Sequence, residues 1–214
     1  YFNYWRTLLM RTILLTLFLF MGTILSAQTN VLFEIEKANA DYKVITGDFV
    51  RTQTNVAKGT SIKADGTLYI VGEDQMAQYY KAPSTDLLII NGNDFYMIRG
   101  KKTNKFNTEK NKTMRSLRNT LLYCVHGKPL VLATENGAEI TAEKKANEYE
   151  VVLISTKKTP RGYAKIVLTY DLKSKLLTKM QMDEYNGNST LYEMDNLKTN
   201  GNIDAKVFDI PEKK

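Results

Sequence analysis

The chain has 214 residues, 43% hydrophobic and 25% charged, with 12 Gly, 4 Pro, one Cys and one His. That composition excludes fibrous, collagen-like and wholly disordered chains, and the length suits one domain with a sizeable core. One Cys excludes an internal disulfide framework or Cys-rich zinc site, one His leaves any His-dependent triad to His126, and a formal charge of +7 points towards an acidic partner or anionic surface.

Residues 13–25 are an apolar run that follows Arg6 and Arg11 and precedes Ser26-Ala27-Gln28. A basic flank, a short apolar stretch and a small residue before a polar start form the pattern of a secretory signal peptide. The run is shorter than the roughly 20 residues of a transmembrane helix. The expectation is a cleavable signal over 1–27, with Met10 as an alternative start, and a single mature domain over 28–214. Leu25 is bulky for the third position before the cut, which leaves an uncleaved anchor as the alternative fate. No Cys follows the run, so no lipid anchor on this chain is expected. Removing 1–27 takes away two Arg and no acid, which lowers the charge to +5.

The mature chain reads as mostly strand. A first helix is predicted over Asn30–Tyr42, where Val31, Leu32, Ile35 and Ala38 are helically spaced. Six strands follow: Ile45–Gln53, Ser61–Val71, Gln75–Lys81, Asp86–Asn91, Asp94–Arg99 and Asn104–Asn107. Lys112–Val125 is the clearest helix, since Met114, Leu117, Leu121 and Val125 form one apolar stripe beside Lys112, Arg115 and Arg118. A short helical turn over Pro129–Ala133 places Pro at an allowed first position. Five more strands complete the chain: Glu139–Lys144, Tyr149–Thr156, Ala164–Tyr170, Leu176–Asp183 and Ser189–Asn196. Asn91-Gly92 and Asn186-Gly187 mark hairpins, while Asp65-Gly66 marks either a hairpin or a bend in one long strand. Eleven strands without alternating helices predict a large antiparallel sheet or barrel.

Several strands carry apolar side chains on both faces. Leu68 and Ile70 oppose Tyr69 and Val71, and Leu87-Leu88-Ile89-Ile90 and Phe95-Tyr96-Met97-Ile98 repeat the pattern. A sheet with one wet face should alternate. Two apolar faces require two covers: a core, and either a helix layer or a ligand.

Catalytic signals are few. His126 sits at a predicted helix end, and Cys124, two residues earlier on a helix, points away from it. No phosphate loop, dinucleotide fingerprint, Gly-x-Ser-x-Gly or His-Glu-x-x-His occurs, so neither an enzyme nor a cofactor or metal site is expected. The densest charge lies over Arg99–Arg118, with eight basic residues against Glu109 alone. Anionic headgroups, an acidic membrane partner, or plain solvation of a helix face account for such a run. Nucleic acid does not, because no binding motif accompanies it.

From about residue 30 to 212 the order of features resembles the LolA-type periplasmic lipoprotein carriers. The resemblance rests on Phe49-Val50-Arg51-Thr52-Gln53, Gly66-Thr67-Leu68-Tyr69-Ile70, Gln78-Tyr79-Tyr80-Lys81-Ala82-Pro83, and Ile90-Asn91-Gly92-Asn93-Asp94-Phe95-Tyr96. It ends on Asn200-Gly201 through Phe208-Asp209-Ile210-Pro211, similar to that family's closing strand. Gln78 stands where the family usually has Trp, and the Arg that latches the helical cover in some members has no counterpart at Gly72–Glu73.

The resemblance implies an incomplete, strongly curved antiparallel β-barrel of about eleven strands, with a helical lid over an apolar cavity. It further implies a monomeric carrier in the periplasm of a Gram-negative bacterium. Such a carrier takes acylated lipoproteins from an inner-membrane lipoprotein-releasing ABC transporter towards an outer-membrane receptor. The expected cavity lining is Leu68, Ile70, Tyr80, Leu88, Ile90, Phe95, Met97, Met114, Leu117 and Leu121. Lys112, Arg115 and Arg118 are the expected surface for a membrane partner or an anionic end of the cargo. A binding protein for another lipid, or a β-rich interaction adaptor, is the alternative.

Overall fold

The structure, a computed structural model, describes residues 29–84, 86–158 and 162–210. The expected signal segment, 1–27, and Pro211 lie outside the described residues. The first helix, α1, covers 29–40 within them, with Asn30 inside it rather than capping it.

Eleven strands form one antiparallel sheet. They are β1 (Val44–Asn55), β2 (Thr60–Val71), β3 (Gln75–Tyr80), β4 (Leu87–Asn91), β5 (Asp94–Arg99), β6 (Lys102–Asn107), β7 (Ala138–Lys144), β8 (Glu148–Ser155), β9 (Tyr163–Asp171), β10 (Leu177–Glu184) and β11 (Ser189–Thr199). Their spatial order is β6-β5-β4-β3-β2-β1-β11-β10-β9-β8-β7, so β6 and β7 are free edges and the barrel is not closed. Helices α2 (Lys112–Val125) and α3 (Pro129–Asn136) connect those two edges. A single 3₁₀ turn, Ala205–Phe208, follows the last strand.

The sheet curls around one core. Phe49, Leu68, Ile90 and Phe95 from one half join Tyr149, Val151, Leu168 and Tyr170 from the other in a single buried cluster with α1 and α2. Gly66 lies within β2, which runs unbroken through Asp65-Gly66, so the bend and not the hairpin is realised. At the β4–β5 hairpin the positive φ falls on Gly92, at 57°, while Asn91 remains in the strand.

The second apolar face of β2–β5 has a cover that belongs to the chain itself. Ala77, Leu87, Ile89, Tyr96 and Ile98 pack with Phe208, flanked by Tyr69, Val71, Tyr79, Ile203 and Val207. The Tyr79 hydroxyl donates to the Val207 carbonyl at 2.8 Å. The closing strand implied by the family resemblance is therefore, over 205–208, a 3₁₀ turn laid across the outside of the sheet. Asp204 caps it, its carboxylate accepting from the Lys206 N–H at 2.9 Å. Strand β8 alternates instead, with Tyr149, Val151 and Leu153 inward and Ile154 half exposed outward.

Candidate functional site

Helix α2 dominates the concave side. Asn111 caps it, its side chain accepting from the Met114 N–H at 3.1 Å, and Thr120, Leu121, Leu122, Cys124 and Val125 are buried. The expected stripe thus holds at its C-terminal end, whereas Met114 and Leu117 pack against the core only partly buried. Five polar contacts fasten the helix and the turn after it. Arg115 donates to the carbonyls of Thr108 and Glu109, Arg118 Nε to Gly92 O at 2.7 Å, and the Tyr170 hydroxyl to Cys124 O at 2.8 Å. Lys128, in the α2–α3 turn, pairs with Glu73 at 2.9 Å. Where the family's latching Arg is missing, an acid in the β2–β3 turn meets a cation from the helical segment instead.

Helix α1 packs against the same turn. Gly127, at φ 64°, approaches it so closely that a Cβ there would stand 2.8 Å from Asn39 Nδ2 and 2.9 Å from Ile35 Cγ2. Asn39 donates to Lys175 O at 2.8 Å, and the Tyr149 hydroxyl to Glu34 at 2.6 Å, which ties α1 to β8 and the β9–β10 turn. His126 caps α2 with its ring buried and Nε2 unpartnered. Burial, then the Lys128 charge, holds its pKa below the ordinary histidine value. Burial also raises the Cys124 thiol far above the usual range, so it stays protonated and inert. No group of three or more His, Cys, Asp or Glu that could hold a metal occurs among the described residues.

All ten residues expected to line a cavity share one cluster. Leu68, Ile70, Tyr80, Leu88, Ile90, Phe95 and Leu121 are buried in it, and Met97, Met114 and Leu117 pack on it. Beside Leu68 and Ile70 the remaining void is about 10 Å³, closed by Ile45, Val125, Leu176, Leu177, Met194 and Leu197.

The larger opening lies elsewhere, between the first turns of α2 and strands β7–β9. It is a cavity of about 500 Å³, within the usual range for small-molecule sites. Leu153, Ile166 and Ala138 supply apolar wall, Ser116, Ser155, Thr113 and Tyr163 supply hydroxyls, and Lys112 and Lys157 stand among them. None of the ten lines it. Of the three basic residues only Lys112 does; Arg115 and Arg118 point their guanidinium groups at backbone carbonyls. Leu153 and Ile166 carry no distinctive sequence signal, since they are ordinary inward residues of alternating strands. Only their pairing across β8 and β9 brings them together.

The profile described as "Outer membrane lipoprotein carrier protein LolA" matches residues 40–211. Among curated proteins none matches the sequence. The solved structures similar to this chain include three that span most of it. An uncharacterised conserved protein from Thermus thermophilus is 10% identical at TM-score 0.52, covering 86% of this chain and 94% of that one. The structure of MucB is 8% identical at TM-score 0.52, covering 88% of this chain and 64% of that one. A LolA superfamily protein from Nitrosomonas europaea is 9% identical at TM-score 0.44, covering 86% and 98%. At these identities the first two likenesses concern the fold alone.

Proposed function

The chain belongs to the LolA family, and from that premise we propose that it is a periplasmic carrier for acylated lipoproteins, shielding their acyl chains between the inner and outer membranes. The observation that carries this reading is the cavity of about 500 Å³, part apolar wall and part hydroxyl, between an amphipathic helix and the concave face of an open barrel. Burying each methylene is worth about 0.8 kcal/mol, so one long acyl chain is worth on the order of 10 kcal/mol. A chain with that affinity for membranes crosses water at a useful rate only inside an apolar shelter.

The load must also be given up, which favours a site that deforms. Met114 on α2 and Met97 on β5 lie outside the cavity wall, partly buried on the core, and flexible side chains of that kind let the helix shift over the sheet. Among the described residues no helix is long and apolar enough to cross a membrane. The donor in this reading is the inner-membrane lipoprotein-releasing ABC transporter, and the acceptor an outer-membrane receptor. The protein does no chemistry on its cargo.

The test is transfer. Inner-membrane vesicles containing the transporter and a radiolabelled acylated lipoprotein are incubated with ATP and the purified protein. The expected result is labelled lipoprotein in a soluble complex with this chain, in proportion to the protein added. Label that stays with the vesicles at every protein concentration would overturn the reading.

A further inference from the structure

We propose that Arg51, on the concave face of β1, recognises the ester carbonyls of a diacylglyceryl group and so selects ester-linked cargo. The inference rests on the carrier reading above and deepens it, since it names the polar part of the cargo that one side chain reads.

The register puts Arg51 inside the open barrel. Residues paired across a ladder share a face, and Arg51 pairs with Ala64 on β2 and Tyr192 on β11. Two residues before it, Phe49 is buried in the core; two residues after it, Gln53 is exposed. Arg51 is half-buried and stands where the concave wall passes from dry to wet. The next ladder row runs Gln53, Thr190, Met182, Ile166 and Leu153, and its last two members line the cavity of about 500 Å³. From β1 to β9 is three strand spacings, about 14 Å along the sheet.

The hydrogen bonding of Arg51 is incomplete. Its guanidinium lies 4.7 Å from the centroid of the Tyr80 ring, whose face answers part of the charge. Nε is buried with no hydrogen-bond partner, and no carboxylate pairs with Arg51 among the described residues. A buried donor left without an acceptor costs more than a made bond returns. The Tyr80 hydroxyl donates to Gln78 Oε1 at 3.4 Å, and Nε2 of the buried Gln78 meets only the Met76 sulfur at 3.9 Å. Two donors on one face thus lack an oxygen acceptor. Burial, and then the neighbouring Tyr192 phenol, raises the pKa of both Tyr80 and Tyr163, which keeps them neutral. Tyr163 lines the cavity, so Tyr192 is the common neighbour of the Arg51 patch and that wall.

A neutral carbonyl oxygen is the acceptor that fits. Arg51 is a single cation, and Ala64, Tyr192 and Tyr80 around it add no second one for a phosphate or carboxylate. Guanidinium-to-carbonyl contacts already fasten Arg115 and Arg118 elsewhere in this chain. In the carrier reading, two ester carbonyls sit at the head of the cargo's chains, between apolar tails and the emerging peptide. That is the boundary at which Arg51 stands. An apolar wall binds by area and gives an ester no advantage over an ether, whereas an unpartnered donor discriminates between them.

The test compares two lipopeptides on the delipidated full chain, below their aggregation concentrations. One carries a dipalmitoylglyceryl group on its cysteine; the other is the dihexadecyl ether, which lacks only the two carbonyl oxygens. The ester should bind at least about tenfold more tightly, the worth of one hydrogen bond to a charged group. Arg51→Met should bring the ester down to the ether's affinity and leave the ether unchanged. Where that variant fails to fold, the two probes on the parent chain still decide.

Equal affinity of the parent for ester and ether, or an ester preference unmoved by Arg51→Met, would overturn the inference while the carrier reading stands. Displacement of the ester lipopeptide by excess inorganic phosphate from the parent, but not from the variant, would make Arg51 an anion site and overturn it too. Binding of neither lipopeptide removes the carrier reading together with this inference. Ester-selective binding without transfer from vesicles keeps the assignment of Arg51 and removes the carrier role.

Discussion

The ring of Phe49 lies over Gly66, its partner in the β1–β2 ladder, so closely that a Cβ on Gly66 would stand 2.7 Å from Phe49 Cζ and 2.2 Å from the Tyr79 carbonyl oxygen. Phe49 in turn meets Tyr80 edge to face at 5.0 Å. A glycine shielded by a cross-strand aromatic lets a sheet bend without exposing its backbone. Gly66→Ala should therefore destabilise the protein by about 2 kcal/mol through overpacking. Urea denaturation checks this, and an unchanged midpoint would mean that β2 absorbs the methyl by shifting.

The outer cover of β2–β5 gives a second prediction. Phe208 is buried against Ala77, Leu87, Ile89, Tyr96 and Ile98. Phe208→Ala should cost about 3 kcal/mol. Deleting 202–210 should leave the apolar outer face bare and make the protein self-associate. Light scattering and dye binding report this directly. A monodisperse truncated protein would show that the outer face tolerates water.

The three basic residues of α2 should separate in their effects. Arg118 donates to the Gly92 carbonyl, so Arg118→Ala should cost about 1.5 kcal/mol. Lys112 has no ammonium partner among the described residues, and Lys112→Ala should stay within roughly 0.5 kcal/mol of the parent. Thermal unfolding of both variants measures the contrast, and equal costs would contradict this division between fastening and open charge.

His126 predicts a pH dependence with a definite sign. Its folded pKa lies below the ordinary 6.5, because the ring is buried and Lys128 is near, with Glu73 opposing. The unfolded chain thus binds the proton more readily. The stability from keeping the ring neutral is fully present above pH 6.5 and is lost as pH falls through that value towards the depressed one. His126→Gln should flatten the denaturation midpoint over roughly pH 5.5 to 7. Parallel profiles for parent and variant would assign the slope to other groups.

Local chemistry made most of the elements legible. Helix α2 begins and ends where its stripe predicts, at Lys112 and Val125, and β5 matches residue for residue. That Leu68, Ile70, Leu88, Ile90, Phe95 and Met97 share one face was legible, because they alternate with their outward neighbours. Where the empty space would fall was not legible. Double-faced apolar strands call for a second cover, a helix layer or a ligand, and on β2–β5 the residues after β11 supply it from outside.

The sequence by itself therefore determined the eleven antiparallel strands, the two faces of β2–β5 and the amphipathic helix, because side-chain period and turn chemistry act over a few residues. The tertiary structure decided what those faces meet. It laid Phe208 on the outer one, closed Val125 and Leu121 over the inner one, and left the opening beside Leu153 and Ile166. Contacts between residues far apart in the chain depend on how the sheet curls and where the helices settle, and no local pattern encodes which gap stays open.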